Sequence, residues 1–202
     1  MVSALETLQR QGMESLILDL RGNPGGLLSI AVEVADLFLD KEIIVRIQDR
    51  SSLSETVLRA EPTRTNTVPL YVLIDEESAS ASELFASAIQ ENQRGALIGY
   101  PSYGKGTIQK VYRLFGNNTA VPIAGLRLTV ERFYSPNGAS CCNIGIRPDI
   151  LIPGELEQTV VLSKPDLEAG TIAVAAPKRK KITSSPSDPC VAKAISIFHS
   201  IP

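Results

Sequence analysis

The spacing of apolar and polar positions changes period several times along the chain, and each change marks an element. Leu5 and Leu8 share one helical face within residues 4–11, and Gly12 offers a stop. SLILDL at 15–20 is a short apolar run of strand type, broken by RGNPGG at 21–26. Leu27, Ile30, Val34, Leu37 and Phe38 then recur at helical spacing across 27–39. EIIVRIQD at 42–49 predicts the next strand, and the polar loop after it carries a candidate edge strand at 56–59. PLYVLID at 69–75 is a strand of the fully buried type, followed by ESAS and a helix from about Ala81 to Asn92. Further strands are predicted over 95–100, 107–114 and 126–135, the last of them alternating.

From Pro165 onward the pattern weakens. AAPKRKKITSSPSDPC at 175–190 is rich in Pro, Ser and Lys and has the character of a linker or tail, its KRKK run a solvated charge cluster rather than a binding patch. VAKAISIFHSI at the end is either a short docking helix or no element at all. The expected organisation is therefore a core over 1–164 and a linker-like extension over 165–202 with a candidate short helix. Strands alternating with helices imply βαβ units, parallel strands and right-handed crossovers, which is the α/β class. In such sheets functional groups gather where loops leave the carboxyl ends of strands. RGNPGG and ESAS both have that address, and both open a helix.

Composition narrows the chemistry. With 202 residues, 44% apolar and 21% charged, the chain has the balance of a globular protein of one domain, or one domain and a tail. No apolar run approaches the roughly 20 residues of a membrane span, and MVSALETLQRQG lacks the basic and apolar regions of a signal peptide. A net charge of −2 gives no reason to expect nucleic acid as a partner. Cys141, Cys142 and Cys190 match no zinc spacing and read as incidental thiols, with a bridge from Cys190 to one of the pair as the alternative. His199, near the end of the chain, is the sole histidine and is badly placed for catalysis. Most Ser and Cys hydrolases use histidine as the base, so nucleophilic chemistry here would need a different proton acceptor. Histidine and cysteine are also too scarce for an ordinary catalytic zinc site, and neither metal nor cofactor is expected.

Each of the two strand-to-helix turns has two readings. In ESASASE, Ser80 and Glu83 fit a capping box. The same geometry would expose a nucleophile at a helix N-terminus, whose N–H groups and dipole favour a developing oxyanion. The layout is that of a nucleophile elbow, although G-x-S-x-G is absent. RGNPGG is either a tight turn set by Pro24, Gly25 and Gly26 or a source of bare glycine N–H donors for an oxyanion. Lys105, between Gly104 and Gly106, is a surface charge or a general base; extended backbone over 105–112 would put Lys105, Thr107 and Gln109 on one face. In the absence of a usable histidine, a Ser–Lys dyad is the economical arrangement.

LILDLRGNPGGLL, ESASASELFASAIQENQRGALIGYPSYGKGTIQKVYRL, LTVERFYSPNGAS and GIRPDI together resemble the carboxyl-terminal processing protease family, tail-specific serine peptidases with a crotonase-like core, over roughly residues 5–152. The resemblance implies Ser80, the middle serine of S-A-S-A-S, as nucleophile, Lys105 as base and Gln109 as its support, with Ser78 and Ser82 left to packing or capping. It implies oxyanion donors at Ala81 and Gly26, with Gly25 a substitute, and serine-type endopeptidase chemistry through an acyl-enzyme on proteins cut near their C-termini. Members carry a PDZ domain and a targeting segment ahead of the core, and work in the bacterial periplasm or envelope or in the thylakoid lumen. By that comparison the core here is expected to be incomplete at its N-terminus, with a sheet edge to be covered. Tyr100 and the Cys141-Cys142 pair depart from the family pattern without touching the dyad. The competing expectation is a catalytically inactive peptide-binding or interaction domain of the same fold. Acyl-CoA chemistry would leave Ser80, Lys105 and Gln109 unexplained.

Overall fold

The computed structural model describes residues 1–52, 54–61, 65–115, 122–152 and 185–200. Strand β1 (Leu16–Asp19) follows helix α1 (Val2–Arg10) and leads into α2 (Leu28–Asp36). β2 (Ile43–Asp49) and β3 (Glu55–Arg59) come next, then β4 (Leu70–Ile74), α3 (Ala81–Glu91) and β5 (Ala96–Gly99). β6 (Thr107–Phe115), β7 (Pro122–Tyr134), β8 (Ile150–Leu151) and α4 (Pro189–Ser200) complete the order.

LYVLI of β4 is buried at all five positions, as a strand covered on both faces must be. It lies inside a sheet of order β1-β4-β5-β8 in which each pairing is parallel. Its side chains alternate between two cores. Leu70, Val72 and Ile74 face α2 and α3, packing with Phe38, Leu84, Phe85 and Ile89. Tyr71 and Leu73 face the other way, with Ile98, Ile152 and the α4 residues Cys190 and Ala194. Phe38 and Phe85 meet edge to face, their ring centroids 6.1 Å apart, and join α3 to the chain following α2.

The other four strands leave this sheet and form an antiparallel one of order β3-β2-β7-β6. Chain alternation alone suggests βαβ units throughout, but β2 and β3, and likewise β6 and β7, pair antiparallel, and β6 and β7 are exposed over most of their length. β7 starts at Pro122, ahead of the 126–135 run expected from alternation. β8 was not expected; a two-residue strand lies below what periodicity can show. The three cysteines are free thiols, with Cys190 in the core. The KRKK run and the expected boundary between 164 and 165 lie outside the described residues.

Arg94 fastens the layer beneath α3. Its Nε donates to Phe38 O (2.9 Å), and one terminal nitrogen donates to Asn66 O (2.6 Å) and Val68 O (2.8 Å). Burial pushes the guanidinium below its ordinary pKa, and it lies 5.9 Å from the Phe38 ring centroid. Truncating it strands three partly buried carbonyls, so Arg94→Ala is expected to lower unfolding free energy by about 3 kcal/mol, measured as a shift of the urea midpoint at constant slope.

Candidate active site

The turn after β4 is held by Asp75, whose Oδ1 accepts N–H bonds from Glu77 (3.0 Å), Ser78 (3.0 Å) and, from the turn after β1, Gly22 (2.9 Å). Ser78, fully buried, donates Oγ to Leu20 O (2.8 Å) and accepts the Asp75 N–H (3.0 Å). Ser82 Oγ and the Ala79 N–H both donate to Asn23 O, at 3.1 and 3.0 Å. The outer two serines therefore stitch the ESAS turn to RGNPGG.

Ser80, between them, has φ +59° and ψ −115°, a backbone conformation that L-residues seldom adopt and that costs about 1–3 kcal/mol. The surrounding bonds hold it at a sharp strand-to-helix corner with the N-terminus of α3 directly behind it. Gly25 lies against the same corner: at φ +90°, an added Cβ would be 2.5 Å from Ala79 O and 2.7 Å from Ala81 N. Only glycine allows that approach. Its own N–H donates to Asn23 Oδ1 at 2.9 Å.

Glu83, on the first turn of α3, has no solvent exposure. Its Oε2 accepts the N–H groups of Ser80 (2.7 Å) and Lys105 (2.8 Å), and its Oε1 accepts Ser102 Oγ (2.6 Å) and the Gly104 N–H (2.6 Å). Ser102 Oγ in turn accepts the Ile146 N–H at 2.7 Å. One carboxylate thus joins the serine corner to the lysine loop, and the Tyr103 N–H adds a bond to Ser78 O at 3.0 Å. Burial, with the Glu83 charge adding to it, pushes the nearby Cys141 thiol up to about 12.

Ser80, Lys105 and Gln109 line one pocket of about 280 Å³ together with Gly26, Ala81 and Thr107. Val111, Arg127 and Phe133 of the β6–β7 hairpin close its far side. A second pocket, of about 250 Å³, shares Gly26 and Ala81 with the first and is walled by Leu18, Leu20, Ile30 and Phe85. Of the residues expected from sequence, the structure places Ser80, Ala81, Gly26, Lys105 and Gln109 in the first pocket, and Gly25 on the second against the serine corner. Sequence reasoning saw Glu83 only as half of a capping box and missed Asn23, Asp75 and Ser102. Their signal was faint: short polar residues in turns. Among the described residues no group of three or more His, Cys, Asp and Glu could hold a metal ion.

A mixed α/β core with a parallel sheet, crossover helices and a strand-to-helix corner carrying Ser80 is a crotonase-like fold. The chain belongs to peptidase family S41, whose family model matches residues 1–152. It is 38% identical over 154 residues to a carboxyl-terminal-processing protease of Picosynechococcus sp., covering 76% of this chain and 36% of that protein. It is 42% identical over 149 residues to a carboxy-terminal-processing protease of Bartonella bacilliformis, covering 72% of this chain and 32% of that one. Among solved structures, a photosystem II D1 C-terminal processing protease superposes with a TM-score of 0.65 at 34% identity, over 76% of this chain and 38% of that one. The chain thus spans about a third of the length of these curated relatives.

Two outcomes follow from the geometry. Glu83→Gln puts an NH₂ donor where two donors now find an oxygen, so it should cost about 2–4 kcal/mol, seen as a lower urea midpoint. Cys141 should stay protonated at pH 8 and react with iodoacetamide far more slowly than a thiol of ordinary pKa of about 8.5, followed by mass spectrometry of the alkylated peptide.

Proposed function

We propose that this chain forms the catalytic core of a serine endopeptidase that cuts proteins near their C-termini, with Ser80 as nucleophile and Lys105 as general base. The observation that carries the reading is the shared pocket: Ser80, Lys105 and Gln109 line it, and the Gly26 and Ala81 backbones border it beside the serine. The corner at Ser80 is strained, and strain of that kind concentrates at functional positions.

In this mechanism neutral Lys105 Nζ takes the Ser80 Oγ proton as the oxygen attacks the peptide carbonyl carbon. Negative charge builds on the carbonyl oxygen and is met by the N–H groups of Ala81 and Gly26, aided by the dipole of α3. Gly25 is the weaker candidate donor, because its N–H already faces Asn23 Oδ1. The tetrahedral species collapses with cleavage of the C–N bond, and the Lys105 ammonium returns the proton to the departing amine. Water then attacks the acyl-serine, giving one proton to Lys105; the acid leaves and the proton returns to Ser80 Oγ. Gln109, which lines the same pocket as Lys105, steadies the amine. The apolar pocket that meets the site at Gly26 and Ala81 receives the substrate side chain preceding the cut bond.

The names of the relatives support substrates processed at their C-termini. By the family resemblance, a PDZ-bearing region works with this core, outside the cytoplasm in a bacterial envelope or a thylakoid lumen. Among the described residues no helix is long and apolar enough to cross a membrane.

The test uses the protein that carries this domain and an unfolded substrate protein with a labelled C-terminus. Ser80→Ala and Lys105→Ala are each expected to lower cleavage at least about 10³-fold with melting temperature retained. Cleavage by Lys105→Ala at the wild-type rate would overturn the dyad. Tight peptide binding by the wild-type protein with no cleavage would favour a binding domain instead.

A further inference from the structure

The turn that carries Gly25 and Gly26 begins with an arginine tied to the other end of the chain. Arg21 donates from one terminal nitrogen to both oxygens of Asp188, at 2.9 and 2.8 Å, and both side chains are only 8% exposed. Its other edge faces Asp19, with Nε to Oδ1 at 2.9 Å and the second terminal nitrogen to Oδ2 at 2.7 Å. The Asp19 and Asp188 partners together hold the guanidinium above its ordinary pKa against the opposing effect of burial.

Asp188 is itself fixed by α4. Its Oδ1 accepts the N–H groups of Cys190 (2.9 Å) and Val191 (3.3 Å), capping the helix whose Cys190 and Ala194 are buried against Tyr71, Leu73 and Ile98. In the other direction Arg21 leads straight into the amide turn. The Gly22 N–H binds Asp75, Asn23 O accepts from Ala79 and Ser82, and Gly25 abuts the Ser80 corner. A series of hydrogen bonds, most of them partly buried and joined through the backbone of Arg21 and Gly22, therefore runs from the cap of α4 to the candidate oxyanion turn.

We propose that Asp188 is a positioning residue for the Gly22–Gly26 turn, so that docking of the C-terminal helix and the setting of the oxyanion donors are one event. The catalytic half of this statement rests on the peptidase reading above. The charge arrangement makes the coupling reciprocal. Loss of Asp188 removes the buried acceptor that ties one terminal nitrogen of Arg21 to α4, and with it the strut between that helix and the start of the turn. Loss of Arg21 removes the cation shared by the buried Asp188 and the part-exposed Asp19, which opposes docking of α4. Coupling between two sites works in both directions by thermodynamic necessity.

Three variants of the full protein separate charge from capping. Asp188→Asn keeps an oxygen to cap α4 but loses the charge, Asp188→Glu keeps the charge one methylene further out, and Asp188→Ala removes both. Asp188→Asn is expected to lower kcat about tenfold to a hundredfold, since misplacement of a reacting geometry by an ångström has that effect, with KM within about twofold. Its Gly22, Asn23 and Gly25 amides, which are hydrogen-bonded in the wild type, should exchange hydrogen at least about tenfold faster while α3 and β4 stay protected. Asp188→Glu should restore part of both. Wild-type kcat together with unchanged exchange in the turn would overturn the proposal, as would faster exchange confined to α4. Should Asp188→Ala fail to fold, Asp188→Asn decides alone. The exchange measurement needs no turnover, so a wild-type protein that cleaves nothing would sink the peptidase reading and leave the coupling to be judged by exchange.

Discussion

Four hydrogen bonds converge on the buried Glu83 carboxylate from two segments that are separate in sequence, the corner at Ser80 and the loop from Ser102 to Lys105. A carboxylate without water is tolerated only when its lone pairs are met by donors. Each segment therefore needs the other in place: withdraw the lysine loop and three of the four donors leave a charge with no solvent around it. The unusual φ of Ser80 persists because its N–H is one of those donors. Two features that look independent, the strained corner and the path of the lysine loop, depend on a single acceptor in the first turn of α3.

The two sheets divide the work. The parallel sheet is packed on both faces and supplies Ser80 and the turn glycines from the carboxyl ends of β4 and β1, where parallel strands direct their loops. The antiparallel sheet supplies Gln109 and the far wall of the pocket from a hairpin whose outer part is largely exposed. Lys105 sits at the junction. Its N–H is held by Glu83, and one residue on, Gly106 O accepts the Phe133 N–H at 3.2 Å. The backbone that carries the lysine is thus anchored to α3 on one side and to the antiparallel sheet on the other.

Much of this was legible in the chain, and what was not has a common cause. PLYVLID announced a buried strand because covering both faces removes polar alternation, LILDL announced a strand that proves half-buried at the sheet edge, and the ESAS corner was legible because Ser80 and Glu83 are three positions apart. The partition of strands into two sheets was not: alternation shows that a strand is half-buried but not which strand it pairs with. The roles of Glu83, Asn23 and Arg21 were hidden for the same reason. Glu83 meets Ser102, Asn23 meets Ser82 and Arg21 meets Asp188 only after the chain has folded. For the end of the chain the sequence left a short docking helix or no element; Pro189–Ser200 is a helix, and its signal was faint because what it fully buries is the narrow stripe of Cys190 and Ala194.

Backbone and side-chain control differ between the two proposed catalytic groups. Ser80 has a short side chain on a corner fixed in an unfavourable conformation, so its Oγ has little freedom to leave the pocket. Lys105 has a long, flexible side chain on a firmly held backbone, and its amine can reach or retreat by rotation about several bonds. Thr107 and Gln109, on the same face of the following strand, are the polar neighbours able to limit that rotation. The serine is preorganised by the fold itself, whereas the lysine is preorganised only as far as the hairpin face beside it is in place. Under the proposed peptidase reading that asymmetry has a use. A substrate seated against β6 would settle the base as it presents its carbonyl, so reactivity would arise with the bound chain rather than ahead of it.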